Sequence, residues 1–131
     1  FKDLPSLQII NRYIADDEVG SFFDTGNTVV VLPYTNASQS GVIPIAFEYG
    51  VPVISADTGG LLEQLFDGKY GVLFQSGDVR ALTDAMAGFI NAPEKYHREA
   101  DKMREGRSLL SWRNVTAAMM DSWNQDDLLS E

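Results

Sequence analysis

The stretch that most limits how this chain can fold lies between Thr28 and Val53. Val29, Val30, Val31 and Leu32 form an unbroken apolar run rich in β-branched residues. Such a run cannot alternate between core and solvent. It predicts a strand covered on both faces, as in a parallel sheet. Pro33 ends the run, because proline has no N–H to give to a ladder. Pro44 then sets where the next helix begins, since proline is tolerated only in a first turn. The pattern predicts a helix starting near Ser40, stopped by Gly50, and a second strand over Val51–Ser55.

The turn between that strand and helix holds Asn36, Ser38, Gln39, Ser40 and Gly41. Asn and Ser suit helix caps. A helix starting here leaves the amides of Gly41, Val42 and Ile43 without intrahelical partners, at the carboxyl end of the strand. Free donors, the positive end of a helix dipole and a glycine that permits close approach together make an anion site. The same pattern also describes an ordinary capped helix after a core strand, and the residues leave both readings open.

The rest of the chain repeats the alternation. Leu7–Ile10 is a short strand candidate, and Asp16-Asp17-Glu18 opens a helix whose apolar face is Val19, Phe22 and Phe23. After the Val51–Ser55 strand come Gly59-Gly60, a short helix over Leu61–Phe66, an Asp67-Gly68 turn and a strand over Gly71–Phe74. Gly59-Gly60 stands at a strand's carboxyl end, where open α/β sheets place their ligands. A tight turn needing positive φ is the competing and favoured reading. Asp78 caps an amphipathic helix carrying Leu82, Met86, Phe89 and Ile90. A charged helix over Glu94–Arg107 follows, then a last helix from Ser111 with Trp112, Val115, Met119 and Trp123 on one face. The predicted fold class is α/β: a partial Rossmann-like, doubly wound domain of about four parallel strands with flanking helices. It spans residues 1–124, with an acidic tail over 125–131. Its open sheet edge is expected to lack upstream strands and to permit self-association. The start at Phe1, with no signal pattern, is read as a piece cut from a longer polypeptide.

Charge narrows the partners. The net charge is −9, and no Lys or Arg occurs between Tyr13 and Asp67. A nucleic-acid surface is therefore not expected. An anion at the central turn must be held by backbone donors, hydroxyls or cations from elsewhere. The late basic residues, among them Lys95, Arg98, Arg104 and Arg107, alternate with acids as on a solvated helix. No cysteine is present, which excludes disulfides and thiolate metal sites. No stretch is long and apolar enough for a membrane span. His97, the only histidine, lies on the charged helix and reads as a surface residue.

Leu32-Pro-Tyr34, the Ser38-Gln-Ser-Gly41 turn, Gly50-Val-Pro-Val53, Gly59-Gly60 with Glu63, and Asp67-Gly68 with Gly71 resemble the carboxyl-terminal domain of family 4 type glycosyltransferases. The resemblance runs from Ile9 to Trp123. It implies the C-terminal part of a GT-B fold, in which two Rossmann-like domains face each other and the second binds a nucleotide-sugar. The sugar is transferred with retention of anomeric configuration, in bacterial surface polysaccharide or glycoconjugate synthesis. The donor would be UDP- or GDP-linked, as substrate; no cofactor and no metal is implied, and no Asp-x-Asp motif is present. The acceptor, a glycan or lipid-linked glycan, would meet the missing N-terminal domain. The implied location is cytoplasmic, with a peripheral place at the inner membrane face left open.

Carried over by residue, the resemblance assigns donor diphosphate and sugar contacts to Ser38, Gln39, Ser40, Gly41, Val42, Gly59 and Gly60. The family's two glutamates across this turn fall on Ala37 and Ile45, in the register set by Gly50 and Pro52. Neither can do a carboxylate's work, and the departure reads as a subgroup trait. Glu48, one helical turn beyond Ile45, is a candidate substitute or a solvent-facing residue. Glu63 matches the family's glutamate after the two glycines, as a loop brace or a contact. The family's phosphate-neutralising Arg and Lys would lie before residue 1, and catalytic residues are not assigned. By itself the chain is expected to be inactive. Two other readings remain: a non-catalytic Rossmann-like assembly module, favoured by the missing glutamates, and a nucleotide-sugar epimerase-like enzyme.

Overall fold

The computed structural model describes residues 6–108 and residue 120. In chain order the elements are α1 (Asp16–Phe23), β1 (Val30–Leu32), α2 (Val42–Tyr49), β2 (Val53–Ala56), α3 (Gly59–Gln64), β3 (Val72–Phe74), α4 (Val79–Asn91) and α5 (Pro93–Arg107). The strands form one parallel sheet in the order β1-β2-β3, with Val30 opposite Val53 and Ile54 opposite Val72. Every residue of the central strand, β2, is buried. This is the α/β architecture that the apolar run and the strand–helix alternation predict.

Side chains alternate across the sheet as the pleat requires. Val30, Leu32, Val53 and Leu73 face a core built with Ile43, Ala46 and Phe47 of α2, Leu61 and Leu65 beside α3, Tyr70, and Met103 of α5. Val31, Ile54, Ala56, Val72 and Phe74 face the other way, toward Ala81, Leu82, Ala85 and Phe89 of α4. Ser55 is fully buried in the central strand, and its hydroxyl donates to the Ala56 carbonyl at 3.0 Å.

The predicted stops and caps are in place. Gly50 ends α2 in the left-handed region at φ 65°, and its N–H bonds to the carbonyls of Ala46 and Phe47. The Asp78 side chain accepts from the Ala81 N–H at 2.9 Å at the start of α4. The acidic first turn of α1 is as read, with the Glu18 carboxylate held by Arg12 at 2.8 Å.

Three expectations are corrected. Leu7–Ile10 is not a strand: it is exposed and has no ladder partner among the described residues. A short apolar segment becomes a strand only against a paired neighbour. The sheet of the described residues therefore has three strands rather than about four. The third correction concerns Gly59 and Gly60. Neither has positive φ; they are the first residues of α3, which starts earlier than Leu61 because extended Thr58 (φ −82°, ψ 142°) serves as its N-cap. The expected last helix from Ser111 and the acidic tail lie outside the described residues.

Candidate functional site

Three loops meet at the carboxyl edge of the sheet. The loop after β1 runs through Tyr34 to the Ser38–Gly41 turn; the loop after β2 carries Asp57 and Thr58; the loop after β3 carries Ser76. The Asp57 carboxylate accepts from the Ser76 N–H at 2.8 Å. The Ser76 hydroxyl donates to the Tyr34 carbonyl at 3.3 Å. These bonds tie all three strand ends together at the edge where α/β sheets bind ligands.

The turn itself is seated on α3. A Cβ placed on Gly60 would overlap the carbonyl group of Ser38, so the two backbones touch and only glycine fits. Four residues on, Gln64 spans both sides of Ser40. Its Oε1 accepts from the Ser40 N–H at 2.7 Å, and its Nε2 donates to the Ser40 carbonyl at 3.0 Å. The buried Ser40 hydroxyl in turn accepts from the Val42 N–H at 3.2 Å. Val42 is thus not one of the free donors that the sequence suggests. Pro44, in the third position of α2, has no N–H to offer. That leaves the backbone N–H groups of Gly41 and Ile43, which donate no hydrogen bond among the described residues; Gly41 is exposed, whereas Ile43 is almost wholly buried. α2 begins at Val42, two residues later than read, because Ser40 is engaged with Gln64 and with capping.

The predicted site residues fall into two groups. Ser38, Gln39, Ser40, Gly41, Val42, Gly59 and Gly60 come together at this edge. Ser38, Gln39, Gly41 and Gly59 are exposed there, and a side chain at Gly41 or Gly59 would meet open space. Glu48 and Glu63 stand apart from them. Glu48 lies toward the far end of α2, exposed, with Arg107 Nε 3.7 Å from its carboxylate. Arg107 also donates to the Glu48 carbonyl at 3.2 Å. Glu63 is exposed and lines a shallow cavity of about 250 Å³ with Ile43, Pro44, Gln64 and Phe66. Bracing of the turn falls to its neighbour, Gln64.

Of the two residues standing where the family carries glutamates, Ala37 packs on the core. Ile45 lines an apolar groove of about 320 Å³ with Ile10, Ile14, Val19, Phe22, Phe23 and Val42. The groove reaches the first residue of α2 and so adjoins the turn. His97 is exposed on α5 beside Tyr96, in a separate groove with Phe89 and Gly26.

Sequence reasoning missed Gln64, Asp57 and Ser76. For Gln64 a signal existed. It is the polar residue four positions after Gly60, hence on the same helix face as the glycine that touches the turn. For Asp57 and Ser76, far apart in sequence, no local pattern pairs them.

Residues 9–92 match the sequence model of the family Glycosyl transferases group 1. A D-inositol 3-phosphate glycosyltransferase of Saccharomonospora viridis is 32% identical over 97 residues, covering 74% of this chain and 22% of the relative. The enzyme of the same name from Corynebacterium glutamicum is 31% identical over 103 residues, 79% of this chain and 24% of the relative. That from Nocardioides sp. is 30% identical over 98 residues, 75% of this chain and 21% of the relative. The chain thus spans less than a quarter of the length of these relatives. The matched segment holds the whole sheet together with the clamped turn and α3, and on it the chain belongs to the Glycosyl transferases group 1 family.

Proposed function

We propose that this chain is the nucleotide-sugar-binding part of a glycosyltransferase that transfers a hexosyl unit with retention. The observation that carries the reading is the clamped turn at the start of α2, where the exposed Gly41 amide has no partner among the described residues. As the glycosidic bond breaks, negative charge grows on the leaving diphosphate. Donors already fixed in place stabilise that charge without reorganising. The open space at Gly41 and Gly59 leaves room for phosphate oxygens to approach the backbone. The base and ribose of a UDP- or GDP-linked donor would lie along the groove of Val42 and Ile45. Ile45 in that groove offers the ribose no hydrogen bond, so the nucleoside would be held by apolar contact there.

The acceptor follows less directly. The relatives' names point to a phosphorylated cyclitol such as inositol 3-phosphate. A glycan or lipid-linked glycan, as in surface polysaccharide synthesis, is the competing acceptor. No helix among the described residues is long and apolar enough to cross a membrane. The replacement of both family glutamates by Ala37 and Ile45 favours a second reading, a module that binds donor or partner without transfer.

The test is a titration of the chain and of the full-length protein with UDP, GDP and their sugars, followed by amide NMR shifts. Shifts gathered at Ser38–Ile43 and Gly59-Gly60 support the donor site and name the base. Silence at millimolar ligand in the full-length protein sinks it. Donor binding without transfer to inositol phosphate or glycan acceptors selects the non-catalytic module. The anomeric configuration of any product decides retention.

A further inference from the structure

Gln64 and Gly60 share one face of α3, four residues apart. Both press on the backbone of the turn, Gly60 against Ser38 and Gln64 against Ser40. Contact at alternate residues of a loop holds its backbone rather than its side chains. The primary amide suits the task for a chemical reason. Ser40 presents a peptide N–H and a peptide C=O, and a primary amide offers an acceptor and a donor on separate atoms of one planar group, so that both can be met at once. A carboxylate could accept but not donate, and a lysine could donate but not accept. An amide also adds no charge beside a site meant for an anion. The orientation of the Gln64 amide follows from its two partners, since a flipped amide would set donor against donor.

The consequence for binding is geometric. Ser40 immediately precedes Gly41, the first of the two amides without a partner among the described residues. The Ser40 carbonyl and the Gly41 N–H belong to one rigid peptide plane. Fixing the carbonyl with Gln64 Nε2 therefore fixes the direction of the Gly41 N–H on the opposite side of that plane. We propose that Gln64 is a positioning residue: by holding the Ser40 carbonyl it aims the Gly41 N–H at the diphosphate, and so sets the affinity of the turn for nucleoside diphosphates. This inference rests on the donor-site reading above.

The test uses Gln64→Met, which keeps length and packing but removes both hydrogen bonds, with Glu105→Ala, exposed on α5, as a control. UDP and GDP are titrated into the full-length protein by calorimetry, and amide exchange is followed at Ser40 and Gly41. Gln64→Met is expected to weaken diphosphate binding roughly ten-fold, the scale of one or two hydrogen bonds, and to speed exchange at Ser40. Gln64→Glu, which restores the acceptor alone, is expected to recover slow exchange at Ser40 but not the affinity. A purely structural role would instead lower the melting temperature and leave the affinity of the folded protein intact. Unchanged affinity in a folded Gln64→Met protein overturns the inference and leaves the donor site standing. If the unmodified protein binds neither UDP nor GDP, the donor site itself falls, and the positioning role with it.

Discussion

Beneath α2, α3 and α5 the sheet buries a continuous core in which Ile43, Phe47, Leu61, Leu65 and Met103 are almost wholly out of water. Beneath α4 the buried set shrinks to Ile54, Ala56 and Phe74, and α4 itself has no buried residue. Ile90 stays 77% exposed on that helix although it belongs to the apolar stripe. The same strands thus present similar apolar residues to both faces, and only one face receives a full cover. The difference bears on the site. Ile43 and Leu61, at the starts of α2 and α3, are part of the well-packed core, so the turn before α2 rests on the more fully buried side of the sheet. Preorganised donors need such a foundation, because a loop that must be ordered on binding spends affinity on its own entropy.

The comparison can be broken by substitution. Phe47→Ala is expected to cost about 3–5 kcal/mol in urea unfolding, while Phe89→Ala, half-buried on the inner face of α4, is expected to cost about 1–2 kcal/mol. Equal costs would show that the two faces are equally important and remove the asymmetry.

The next largest effect sharpens the link between packing and site. Gly60→Ala forces a methyl into the Ser38 carbonyl and is expected to destabilise by about 1–3 kcal/mol and to abolish diphosphate shifts in the turn. Gly59→Ala, facing open space on the same helix, is expected to be neutral or to stabilise by up to ~1 kcal/mol. If the two alanines behave alike in a thermal melt, the contact between turn and α3 is not what makes glycine necessary.

On the loosely covered face, Asp78→Ala removes the bond to the Ala81 N–H and is expected to cost about 1 kcal/mol. Because α4 has little burial to hold it, the loss should appear as faster amide exchange through its first turn while exchange in α2 is unchanged.

The smallest effect lies at α1. Its Arg12 partner, with help from the Ala15 amide, holds the Glu18 carboxyl below its ordinary value of 4.5. A depressed carboxyl contributes stability that is complete above the unfolded value and is lost as pH falls through the folded one. A slight loss of stability below about pH 4.5 is therefore expected, and Arg12→Ala should reduce that acid-side dependence, leaving the part due to the Ala15 amide. The pair is solvent-exposed, so added salt should also reduce it. A pH profile identical with and without Arg12 would show the pair to be inert.

The sequence by itself determined the local grammar. The Val29–Leu32 run announces β1, observed over Val30–Leu32; Pro44 and Gly50 bracket a helix within two residues of its observed start and at its observed end; Asp78 announces α4. These features depend on neighbours in the chain, through backbone dihedrals and local hydrogen bonds, so a linear reading reaches them. Tertiary structure decided what depends on distant partners. Leu7–Ile10 has strand chemistry but no strand to pair with among the described residues. Gly60 is needed for a contact with Ser38 rather than for its own φ, which no window around Gly60 could reveal. Only the fold brings Gln64 to Ser40 and Ser76 to Asp57, across 24 and 19 positions. The anion-site pattern was written in residues 38–44: within it the Ser40 hydroxyl takes the Val42 amide locally, while Gln64, reaching in from α3, takes the amide of Ser40. A hydrogen-bond donor is available to a ligand only when the rest of the protein has not already used it.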